Sequence, residues 1–95
     1  MRISPKTAGI IHDAARKYFK TQARLFGSRT DDSKRGGDID IYIETDLSEE
    51  IIAQKRTEML AYLYLRLGVQ KIDIVINNGN TALEIFSEGK KGILL

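Results

Sequence analysis

The sequence predicts a small α+β domain, one β-sheet with helices packed on a face. Two short runs place isoleucine at every second position, Ile39, Ile41, Ile43 and Ile72, Ile74, Ile76, which is the period of a strand. Two longer runs place apolar residues three and four apart, one after Ser4-Pro5 and one after the acid- or hydroxyl-capped start Asp46 to Glu49. The isoleucine rows each need an apolar cover, and helices laid on the sheet supply it. The 95 residues suit a single domain, whose usual size is roughly 100–150 residues. No linker composition divides them, so residues 1–95 read as one unit.

Taken in order, Ser4-Pro5 opens the first helix, serine as the cap and proline at the first helical position. Ile11, Ala14, Ala15, Tyr18 and Phe19 carry its apolar stripe, and it ends near Lys20. Ala23 to Phe26 is a short strand. Gly27 to Gly37 holds three glycines among Ser, Thr, Asp, Lys and Arg, the composition of a loop. Asp38 to Glu44 alternates strictly, isoleucines on one side and Asp38, Asp40 and Tyr42 on the other. Asp46 to Glu49 reads as a capped start for a helix that turns Ile52, Met59, Leu60, Leu63 and Leu67 inward and stops at Gly68. Gln70 to Ile76 is the next strand, with Asp73 and Val75 opposite its isoleucines. Asn77-Asn78-Gly79 turns the chain, and Thr81 to Ser87 is a short helix ended by Gly89. The apolar tail from Gly92 to Leu95 has no periodicity to assign.

Composition narrows the function. No apolar stretch approaches the roughly 20 residues that cross a bilayer, and no signal-peptide apolar region opens the chain. Cysteine is absent, which removes disulfides and thiolate metal sites. A cytoplasmic protein is the plain reading. The net charge of +2 is too small to argue for nucleic acid. Its distribution is more telling, since Arg24, Arg29, Lys34 and Arg35 gather around the glycine loop.

Side chains two apart on a strand share a face, their Cα atoms about 6.5–7 Å apart. Asp38 and Asp40 therefore point the same way, and a cation between them relieves their repulsion. Asp73 joins as a third carboxylate if its strand pairs alongside in register. Three acids without a nearby histidine or cysteine make an oxygen-only site, which favours Mg²⁺ over zinc. Two such ions can clamp both oxygens of an in-line phosphoryl displacement. Gly27 and Ser28 then suit a phosphate, through close backbone approach and a hydroxyl beside free N–H groups. Arg29 and Arg35 would add positive charge. Taken singly, the parts have ordinary readings: a solvated strand face for the acids, a turn for Gly27-Ser28, and loop cations. Asp31 and Asp32 read as turn caps, His12 as structural, and Tyr18, Tyr62 and Tyr64 as core or rim aromatics.

The combination resembles the nucleotidyltransferase family of the DNA polymerase beta type, above all its minimal members. Phe26-Gly27-Ser28 is followed by nine residues and then by Asp38-Ile39-Asp40-Ile41, with Ile72-Asp73-Ile74 as the third part. The chain departs from the family pattern at Thr30 and Asp31, where many relatives carry an arginine, and at Gly37, where many carry serine. The resemblance implies the nucleotidyltransferase fold, a small mixed β-sheet with helices packed on one face. It implies that Asp38, Asp40 and Asp73 are catalytic and hold two Mg²⁺ ions, with Asp73 also helping to deprotonate the acceptor. It implies that Gly27, Ser28 and Arg29 bind the nucleotide, ATP as substrate. The small size resembles antitoxin members paired with a helical ribonuclease toxin of the HEPN class, whose tyrosine they adenylylate. The alternative is a non-catalytic binding module that neutralises the HEPN partner by forming a complex. No direct nucleic-acid binding and no membrane association are expected.

Overall fold

A computed structural model describes residues 3–27, 39–79 and 89–95. The chain runs α1 (Pro5–Phe19), β1 (Ala23–Phe26), β2 (Ile39–Glu44), α2 (Glu49–Leu67), β3 (Ile72–Asn77) and β4 (Ile93–Leu94). The strands form one mixed sheet in the order β3-β2-β1-β4. β2 and β3 are parallel, joined through α2, while β1 runs antiparallel to both β2 and β4.

α1 begins where Ser4 predicts, and within the capped start read at Asp46 to Glu49 it is Ser48 that caps α2. Ser4 Oγ accepts from Thr7 N at 3.1 Å with Pro5 at the first helical position, and Ser48 Oγ accepts from Ile51 N at 3.4 Å. Each serine meets a donor that the helix itself leaves unpaired. The left-handed Lys20, φ 55°, ends α1, and Gly68 ends α2 at φ 85°. The inward stripe of α1 is Ile11, Ala14, Ala15 and Phe19; that of α2 is Met59 and Leu63. These meet Ala23, Leu25 and the isoleucines of β2 and β3 in one core. Helices therefore cover the isoleucine face. Tyr18 and Tyr62 pack edge to face at its margin, ring centroids 5.7 Å apart, and His12 Nδ1 lies 3.2 Å from Leu95 O as donor.

Three boundaries differ from the sequence reading. β3 begins at Ile72, because the Gln70 side chain turns back to donate to Leu67 O at 3.1 Å and closes the end of α2. It continues to Asn77, whose main-chain O accepts from Thr45 N at 2.9 Å. Gly89 does not stop a helix: Gly89 and Lys90 are both helical, and the turn follows them. The tail, which carries no period in the sequence, supplies the edge strand β4, Ile93 and Leu94 pairing with Leu25 and Arg24. The glycine loop from residue 28 onward, Asp38 at the head of its strand, and the helix assigned to Thr81–Ser87 lie outside the described residues. No helix among the described residues is long and apolar enough to cross a membrane.

Candidate functional site

Asp40 and Asp73 are register partners across the parallel pair β2 and β3. Partners in register on neighbouring strands point to the same side, with Cα atoms about 4.8 Å apart. The alternation that sends Ile39, Ile41, Ile72 and Ile74 into the helix-covered core sends these two acids to the opposite face. Both are half-buried there. Like charges set side by side on one face of a sheet repel.

β1 completes the surroundings from the other side. Phe26 is the register partner of Asp40, and Gly27 follows it with φ 76°. A side chain at position 27 would collide with Asp40 Oδ2. Glycine is needed at this position twice over, for its backbone angle and for clearance. The sequence reading assigned Gly27 to close approach of a phosphate; its backbone stands directly against one of the acids.

Ser28, Arg29 and Asp38 lie outside the described residues, so Gly27, Asp40 and Asp73 are the predicted site residues that the fold brings together. Among the described residues, no three His, Cys, Asp or Glu side chains cluster closely enough to hold a metal. The acid pair by itself fits Mg²⁺ in its donor chemistry. That ion commonly takes one or two carboxylates and completes its shell with water and substrate phosphates.

Sequence reasoning missed the residues that adjoin the pair. Tyr42 follows Asp40 by two positions on the same face, yet it is only 1% exposed, packed with Phe26 and Val75. Asn77, read from the sequence as part of a turn, is the buried polar residue among the described ones. Its Nδ2 donates to Tyr42 Oη at 3.0 Å, and its Oδ1 accepts from Gly79 N at 2.9 Å. Burial, the largest influence, pushes the Tyr42 phenol above its ordinary 10.0, and Glu44 adds to this; Asn77 and Arg24 pull the other way. The alternation of β2 contained the first half of this signal, because it set Tyr42 beside Asp40. Nothing in the sequence announced that the ring would be covered.

A half-open cleft of about 430 Å³ lies at the carboxyl end of β2, lined by residues that include Tyr18, Lys20, Asp46, Leu47 and Lys55. Among the described residues, none of the predicted site residues lines it. Comparison with protein-family models, with curated proteins and with solved structures gives no match.

Proposed function

We propose that this chain is a Mg²⁺-dependent nucleotidyltransferase of the minimal, DNA polymerase beta-like kind. It would transfer AMP from ATP to a hydroxyl of a partner protein, a toxin of the HEPN class, and so act as its antitoxin. The observation that carries this reading is the register pairing of Asp40 with Asp73 beside the Gly27 backbone. Acids on opposite faces of the sheet would have removed its basis.

In this reading Asp40 and Asp73 hold the metal, and Asp38 adds the third carboxylate that the resemblance calls for. Bound Mg²⁺ supplies charge neutralisation at the phosphates and polarises the attacked phosphoryl group. Gly27, Ser28 and Arg29 hold the outer phosphates, and Asp73 takes part in removing the acceptor proton. The acceptor oxygen bonds to the α-phosphorus as the bond to the β-phosphate bridge breaks, and pyrophosphate leaves. The chain contributes position and a fixed electrostatic field, which dominate phosphoryl-transfer catalysis.

The test is transfer of label from α-labelled ATP to the partner with Mg²⁺ present. Wild type should label the partner, and Asp40→Asn and Asp73→Asn should each reduce the rate by at least about a hundredfold, the scale of losing one electrostatic contact to a transition state. Firm association without label would instead support the non-catalytic module. That second reading draws on Leu65 and Val69, apolar residues 85% and 88% exposed at the end of α2.

A further inference from the structure

The C-terminal segment crosses the acid-bearing face and is fastened there at several points. Gly89 lies so close to Tyr42 that an added methyl would overlap the ring at Cδ2 and Cγ. Gly92 stands against Leu25 O in the same way, and Arg24 Nη1 donates to Gly92 O at 3.2 Å. Leu95 N donates to Ala23 O at 2.9 Å, and Lys90 pairs with Glu44 at 3.8 Å. Since Gly89 is helical and has no positive φ, conformational freedom does not account for glycine here. Clearance over the ring does.

Beneath Gly89 the Tyr42 ring has little freedom. Phe26 and Val75 pack against it, Asn77 holds its hydroxyl, and Gly89 closes the top. The same ring borders Asp40. Asp40 has Phe26 across the β1 side, Asp73 across the β3 side, Gly27 against its carboxylate, and Tyr42 as the next side chain along its own face. A displaced ring would press on Asp40 directly or through Phe26, because packed side chains pass on displacements of this size.

We propose that Tyr42 is a positioning residue for the Asp40–Asp73 pair, held in place by the backbone of Gly89, so that the C-terminal segment is a working part of the site. This rests on the metal-binding reading of the two acids.

The test uses Mn²⁺ as a paramagnetic probe, with broadening of the Asp40 and Asp73 resonances read as a function of concentration. Tyr42→Leu and Gly89→Ala should each weaken Mn²⁺ binding at least about tenfold. Tyr42→Phe, which retains the ring, should stay within about threefold of wild type. The double variant Tyr42→Leu/Gly89→Ala should be no weaker than the weaker single variant, because both changes act through one ring. Leu63→Val in the opposite core controls for loss of stability: at a matched drop in melting temperature it should change binding less than twofold. If Gly89→Ala and Tyr42→Leu fall no further than Leu63→Val, Tyr42 only packs and the proposal is wrong. Independent, multiplying effects in the double variant overturn the link through Gly89. A wild type that binds Mn²⁺ nowhere near the two acids overturns the metal reading itself, and the positioning role with it.

Discussion

A methyl group at position 27 would meet the Asp40 carboxylate and also demand a backbone angle that L-residues avoid. Gly27→Ala should therefore lower stability by about 1–2 kcal/mol, the usual cost of a left-handed non-glycine residue, and weaken Mg²⁺ binding beyond what that loss explains. Urea unfolding and metal titration on one preparation check both. At Asn77 the outcome is structural. Alanine there removes the Asn77 hydrogen bonds to the Tyr42 hydroxyl and from Gly79 N, a loss of about 1–3 kcal/mol. Tyr42 also sets an alkaline limit. Its proton is held more tightly in the folded chain than in the unfolded one, so its contribution is complete below the ordinary value of 10.0. That contribution disappears as pH rises through the higher folded value. Stability should fall above about pH 10, the ordinary tyrosine range, and Tyr42→Phe should lessen that fall in melting curves.

At the scale of elements, β3 shows how an edge is managed. In its parallel pairing with β2, residues 71, 73, 75 and 77 turn their backbone groups inward, as Lys71 O and Asn77 O do in accepting from Ile39 N and Thr45 N. Ile74 thus presents its carbonyl outward, and Arg56 from α2 reaches over to donate to it at 2.9 Å. Covering an edge carbonyl lowers the tendency of a strand to recruit another chain. Arg56→Met keeps the aliphatic stem and removes the donor, so it should cost about 1 kcal/mol in thermal unfolding. α1 and α2 were legible because cap, stripe and stop agree in each, and the acid-bearing strands because isoleucine alternates without interruption. β4 was not, since two residues carry no period, and its pairing depends on β1 far away in the chain. Gly89 was misread for a related reason: glycine after a helical run usually marks its end, whereas clearance over Tyr42 is a tertiary fact. The acid pair was legible only conditionally, as the register of β2 against β3 that unites Asp40 and Asp73 is also tertiary.

For the whole molecule, layering separates stability from the candidate chemistry. The core that binds helices to sheet contains neither acid, and the two acids repel across one ladder. Asp40→Asn and Asp73→Asn should therefore remain folded, with melting temperatures equal to or above wild type in chelator, while Mg²⁺ should raise the melting temperature of wild type alone. Circular dichroism with and without metal measures both.

The narrow ladder between β1 and β4 has a kinetic meaning. Arg24 pairs with Leu94, so β1 cannot acquire its outer neighbour until a segment some seventy residues further along the chain has come back across the sheet. Loop-closure entropy makes such distant pairings slow to form. The sheet should accordingly assemble from β2 outward, and amide hydrogens on the β4 side should be the first to exchange with solvent and the last to gain protection during refolding.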